Sequence, residues 1–313
     1  MNRRGVEMMN KRMLTLGTVV VISGALMITS AFAAMSTTSA GYDALKTAHK
    51  HASQIGSLTT DAKLNVTDGG QSLVNLQSTF KFNRNNNNGS GVVHVTQNGE
   101  TVTINGYKQQ DQLVLKSSDN DTYYVMEQGM RGPFRDGYPN ARGPARGENA
   151  ERIIDALVGH NENYFSLEEG SDHTSVVKLS LHDDEIPLLV NTLGSILIKN
   201  ASNDHPNRPQ LPAFVPLHAP DLPRLTEDIR LSGIELTTVI NSDQFIEQYD
   251  LLIQASGKDA EGEQHELELK LQLSFSEFNS TVVDEVNLTD KQVEKLEQNR
   301  KYGMHGMHGK RWR

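Results

Sequence analysis

Between His265 and Phe278 the chain alternates without a break. Leu267, Leu269, Leu271, Leu273 and Phe275 occupy every second position, with Glu266, Glu268, Lys270, Gln272, Ser274 and Ser276 around and between them. Side chains of a strand point alternately to its two faces, so this stretch makes a strand with one dry face and one wet face. Such a strand cannot stand alone. Burial contributes about 1.5–3 kcal/mol for each large apolar side chain, against the entropy of ordering the backbone, and that gain requires something to cover the dry face.

The remainder of the chain supplies partners. Tyr42, Leu45, His49, Ala52 and Ile55 recur at three-to-four spacing and predict an amphipathic helix stopped by Gly56. His49 and His51 stand two apart, about 200° around a helix, so they do not share an ion and read as surface histidines. From Thr59 to Met126 six strands are predicted, joined by short polar turns, among them Asn98-Gly99, a pair suited to a two-residue hairpin. Short connections force neighbouring strands to run antiparallel, which makes a meander with one apolar face.

Gln128 to Gly147 is Gly/Pro-rich and interleaves Arg131, Phe134, Arg135 and Tyr138. A long irregular loop of this kind either contacts a phosphate headgroup or a partner, or lies solvated with its arginines paired to an acidic body. Ala150, Ile153, Ile154, Leu157 and Val158 form a helical stripe. Tyr164–Leu167 and Val177–Leu181 predict two strands. Asp183 and Asp184 are placed to cap a second helix, with Pro187 in its first turn and Ile186, Leu189, Val190, Leu193 and Leu197 as its stripe. Residues 201–225 hold six of the ten prolines and predict an extended strap or tether. Strands follow around Ile234–Ile240 and Phe245–Ile253, then the alternating strand. Thr289 with Gln292 resembles a capping box and predicts a short helix carrying Val293 and Leu296.

The ends set the compartment. Arg3, Arg4, Lys11 and Arg12 precede an uncharged run from Met13 to Ala34, and Ala31-Phe32-Ala33 has the small-x-small form of a signal-peptidase site. Residues 1–34 are therefore a cleaved signal peptide or a single transmembrane anchor, and both readings put everything after Met35 outside the cytoplasm, secreted or membrane-anchored. Residues 35–41 are a spacer, 42–298 one domain, and 299–313 a basic Gly/His/Met-rich tail. The chain carries −9; residues 1–33 hold four basic residues against Glu7, so the remainder carries −12. A surface this acidic argues against nucleic acid as a partner. The chain has no cysteine, which removes disulfides, thiolate zinc sites, thiol nucleophiles and a lipid-bearing N-terminal cysteine.

A search for chemistry finds no G-x-S-x-G elbow, no H-E-x-x-H, no phosphate-binding glycine loop and no calcium loop. Helix capping accounts for Asp183-Asp184-Glu185. The reading names no catalytic residue, no metal site and no cofactor, and expects a non-enzymatic protein.

The order of helix, six-strand meander, loop, two helices around a hairpin, three long strands and a short helix resembles the bacterial lipoprotein-carrier superfamily, the LolA/LolB-like half-barrels and their Gram-positive relatives. The likeness spans about Tyr42 to Leu296. Its most particular piece is Tyr249-Asp250-Leu251-Leu252-Ile253 through Gly262, Leu269 to Phe278, Asn279-Ser280-Thr281 and Val286-Asn287-Leu288-Thr289. The resemblance implies an α+β fold: a strongly curved antiparallel sheet, a half-barrel, with helices on a concave apolar face able to accept acyl chains. It carries over no catalytic residue. On that reading Leu76, Phe80, Phe82, Val93, Leu113, Leu269, Leu271 and Leu273 line a cavity for a lipid or other hydrophobic molecule, or form plain core. Two functions follow: an envelope carrier or sensor of a hydrophobic ligand, or a structural protein with a filled half-barrel that engages unnamed envelope partners.

Overall fold

In a computed structural model, which describes residues 40–52, 54–97, 99–109, 111–127, 164–201 and 222–296, the alternating stretch is strand β11 (Gln264–Ser276) near the centre of one sheet. The polar turns of the N-terminal half produce an antiparallel meander of β1 (Ser57–Asp68), β2 (Gln71–Asn83), β3 (Asn88–Gln97), β4 (Glu100–Gln109), β5 (Gln112–Ser117) and β6 (Tyr123–Glu127). A second antiparallel series holds β7 (Phe165–Glu169), β8 (Ser175–His182), β9 (Glu227–Ile240), β10 (Ile246–Lys258) and β11. The two series join where β1 pairs antiparallel with β11, from Thr59 opposite Ser276 to Asp68 opposite Leu267. With β12 (Val293–Lys295) at its far edge, the sheet runs β12-β6-β5-β4-β3-β2-β1-β11-β10-β9-β8-β7 and does not close. The described part is β-rich, with few short helices.

Register stacks the apolar positions of successive strands into rows. One row runs Val95, Leu76, Leu64, Leu271, Leu251, Leu236 and Leu179 across seven strands. Most of it belongs to a single core with Ala62, Leu181, Tyr249 and Leu273. Helix α1 (Ala40–Ala52) seals this core by burying Tyr42, Leu45 and Ala48 against β7–β10, with the Tyr42 and Phe165 rings 6.1 Å apart. Helix α2 (Leu188–Ala201) lies on β9. Gly194 makes that approach possible, since a Cβ there would strike the Leu231 side chain. Asn191 Oδ1 accepts the N–H of Leu231 at 3.2 Å, and Ser195 Oγ donates to the Ile229 carbonyl at 2.9 Å, so the helix also satisfies backbone groups where β9 bulges.

Three expectations need correcting. His49 is not a surface residue: its ring stacks on Tyr249, 6.4 Å between centroids, and Nε2 shares a 3.1 Å hydrogen bond with the Tyr249 hydroxyl. Asp183–Glu185 form a separate 3-10 turn, closed by Glu185 Oε2 accepting the His182 N–H at 3.0 Å; α2 begins only at Leu188, after Pro187. The capping-box helix at Thr289 is instead a crossing segment and a strand. After β11 the chain turns onto the wet face, where Thr281 Oγ1 lies 3.1 Å from Thr59 Oγ1, Asp284 pairs with Lys81 at 3.1 Å, and Gln109 holds both backbone groups of Val286. Asp290 takes a positive φ of 60°, and β12 then adds in parallel to the open edge of β6. A free edge with unpaired N–H and C=O groups outcompetes one weak helical turn. Helix α1 also ends at Ala52 rather than Ile55, and β9 begins at Glu227, seven residues before the Ile234 start read from the sequence.

The N-terminal segment 1–34 and residues 35–39, the arginine loop, the helix read at 150–158, most of the proline run and the C-terminal tail lie outside the described residues. So do the side chains of Leu189, Leu193 and Leu197; Ile186 and Val190 of that stripe are buried. Among the described residues no helix is long and apolar enough to cross a membrane.

Two outcomes follow from this packing. Leu273→Ala, which empties a site only 2 % exposed, loses about 2–5 kcal/mol in denaturant unfolding, whereas Val282→Ala, 77 % exposed, stays within about 0.5 kcal/mol. Burial lowers the His49 pKa from 6.5 to about 4. The unfolded chain therefore takes up this proton first. Stability is whole above pH 6.5 and falls as pH drops toward 4, by up to about 1.4 kcal/mol per pH unit. Unfolding free energies measured across that window show a shallower slope in His49→Gln; an unchanged slope contradicts the assignment.

Candidate functional site

All eight residues read as cavity lining project from one face of the sheet, but they divide into four environments. Leu76, Leu271 and Leu273 are 1 %, 5 % and 2 % exposed and belong to the main core. Val93 and Leu269 are half-buried at its margin. Leu113 belongs to a second, smaller cluster with Leu115, Tyr124 and Met126, to which Ile104 and Leu296 also pack. Phe80 and Phe82 are half-buried and belong to neither.

Between the clusters the face therefore carries a strip of incompletely covered apolar surface on β2–β5, centred on Phe80, Phe82, Val93 and Ile104. Glycine shapes it. Gly91 faces Phe80 across the β2–β3 ladder, and a Cβ there would collide with the Phe80 ring, so the ring lies flat over the β3 backbone. Gly89 faces Phe82, and Gly106 follows Gly91 on β4. An aromatic laid over glycine restores packing that the missing side chain forfeits. Among the described residues Lys108 at its rim is the ionisable group on this strip, and Ser78 and Ser117 stand beside Val93 and Ile104 on the same face. The strip suits hydrophobic contact.

The arginine-loop positions Arg131, Phe134, Arg135 and Tyr138 lie outside the described residues, so their relation to the strip is not drawn.

The opposite face is polar. Over β2, β1, β11, β10 and β9 it forms a concavity of about 430 Å³ lined by Lys63, Asn65, Gln77, Glu235, Asp250 and Lys270 among others. Two of its charges are engaged: Asp250 accepts from Gln272 at 3.1 Å and Gln248 at 2.6 Å, and Lys270 pairs with Glu268 at 2.6 Å. Alternation foretells this face as wet, and nothing in the spacing of single polar residues reveals that it is concave.

The sequence reading passed over one further cluster, at the β10–β11 hairpin, where His265 meets Asp68 and Asp259. The hydrogen bond that Asp68 accepts from the ring raises the His265 pKa against the opposing effect of burial. Asp259, Glu263 and His265 lie close together around one turn, and that short spacing was the available signal.

The chain matches no family model and no curated protein. Among solved structures it aligns with a bifunctional dehydratase-cyclase domain in ambruticin biosynthesis, at 11% identity over 82% of this chain and 88% of that one, with a TM-score of 0.12. A score that low carries no argument about fold or activity.

Proposed function

We propose that this chain is an extracytoplasmic envelope protein that holds a lipid or other hydrophobic molecule against the dry face of its sheet, as a carrier or sensor and without catalysis. In this reading the sheet is a strongly curved half-barrel of the lipoprotein-carrier kind, and residues 1–34 export the domain and are then removed or kept as an anchor. The observation that carries the reading is the half-buried strip of Phe80, Phe82, Val93 and Ile104 between two sealed clusters. Apolar side chains held at partial burial on a rigid sheet accept an acyl chain at little reorganisation cost, and apolar clefts of this kind are common ligand sites. The chemistry of the strip favours binding over reaction, since among the described residues no paired acid and base face it.

One observation favours a second reading. Leu76, Leu271 and Leu273 are already sealed in the main core, which α1 closes over β7–β10. A half-barrel filled in this way serves as a structural or interaction protein of the envelope with no ligand at all.

Native mass spectrometry of residues 35–313, purified from cells and then mixed with phospholipid, separates the two. The carrier reading predicts adducts of lipid mass that are lost in a Phe82→Glu, Val93→Glu variant with an unchanged far-UV spectrum. Bare protein masses throughout, even after lipid addition, overturn it in favour of the filled form.

A further inference from the structure

The turn between β10 and β11 gathers three side chains able to bind a metal. Asp259, Glu263 and His265 each present one ligand atom, and these atoms lie within 4.8 Å of one another. The backbone orients the first. Asp259 Oδ1 accepts the N–H groups of Glu261 at 3.0 Å and Glu263 at 2.8 Å, which leaves Oδ2 for another partner. His265 is oriented from behind by the end of β1: its Nδ1 lies 2.6 Å from Asp68 Oδ2, while Asp68 Oδ1 accepts the N–H of Glu266 at 3.0 Å. An imidazole that donates through Nδ1 to a carboxylate presents its lone pair at Nε2, the arrangement that supports metal-bound histidines.

A second observation points to a ligand. Nε2 is sealed from solvent and makes no hydrogen bond. It faces Asp259 Oδ2 at 3.4 Å, off the line a hydrogen bond requires, with the two side chains only 15 % and 16 % exposed. The 3.4 Å gap has room for an ion held between the two atoms. Zinc held at about 2.0–2.2 Å by nitrogen and oxygen in a tetrahedron separates its ligands by about 3.3–3.5 Å.

We propose that His265 Nε2, Asp259 Oδ2 and the Glu263 carboxylate bind a divalent first-row transition ion of the zinc class, with Asp68 positioning the imidazole. One nitrogen and two carboxylate oxygens suit such an ion. Glu263 is exposed and closes the set by a rotation of its side chain, and the fourth position opens to water. The site sits where the β10–β11 turn meets the β1–β2 turn, beside the Gly69 N–H bonded to the Glu266 carbonyl at 2.9 Å. All three ligands fall on one hairpin, and Asp68, 197 positions before His265, is the support that reaches them from the other half of the sheet.

Zinc titrated calorimetrically into the metal-free full chain tests this. His305→Ala, His308→Ala serves as the background, so that any uptake is read without the tail imidazoles. The site predicts one zinc per chain in that background and, with cobalt(II) substituted, the intense visible absorption of a tetrahedral centre. Glu263→Gln, an exposed change that leaves the fold intact, weakens binding about tenfold or more, and Asp68→Asn weakens it about 10–100-fold. His265→Asn abolishes it, with far-UV circular dichroism as the check on folding; Glu263→Gln decides should that variant unfold. No zinc uptake in the background chain, an affinity unchanged by Glu263→Gln, or tighter binding of calcium than of zinc overturns the proposal.

Discussion

The fold depends on one long-range ladder, the antiparallel pairing of β1 with β11. Every other junction in the antiparallel part of the sheet, apart from the β8–β9 pair, joins strands next to one another in a hairpin, where a short loop closes at small entropic cost. β1 and β11 meet only after nearly two hundred residues have been brought back on themselves; Asp68 and His265, at one end of the seam, lie 197 positions apart. Side chains must offset that closure, and the seam carries fully buried pairs. Ala62 opposes Leu273 and Leu64 opposes Leu271, all four at 5 % exposure or less. On its flanks Leu76 and Tyr249 extend the same dry surface into β2 and β10.

From this seam outward the two faces take different tasks. Under α1 and α2 the dry face of β7–β11 is a finished core, while across β2–β5 it thins to the half-buried strip of Phe80, Phe82, Val93 and Ile104. The wet face carries the last described stretch of the chain. Thr281, Asp284 and Val286 are each pinned to a different strand of the meander, and β12 then completes the β6 edge. Crossing one face to pair at the opposite edge binds the meander to the seam from outside. An uncovered edge would otherwise invite another chain.

Much of this was legible in the residues. The alternation of Leu267 to Phe275 marks β11 because a period of two has few rival explanations, and the short turns between Thr59 and Met126 leave a meander as the economical connection. What remained hidden is non-local. No pattern in either strand says that β1 and β11 are partners. His49 reads as a helix-surface residue until Tyr249, 200 positions away, is found against it. The Thr289 box fails for the same reason: a capping pattern reports local preference, and the open β6 edge that overrides it belongs to a distant part of the sequence. Of the predicted lining, Leu76, Leu271 and Leu273 went into the core and Leu113 into a separate cluster, because alternation fixes a face and says nothing of depth.

The most direct measurement of the central claim is amide hydrogen exchange followed by peptide mass spectrometry on the folded chain. If the β1–β11 ladder holds the sheet together, amides of Ala62 to Val66 and Leu269 to Leu273 exchange last, at the rate of global unfolding, while those of β7 and β12 exchange first. Exchange of the β1 and β11 amides as early as those of the two edges, with β2–β5 still protected, would show that the meander stands without the seam and would contradict the account.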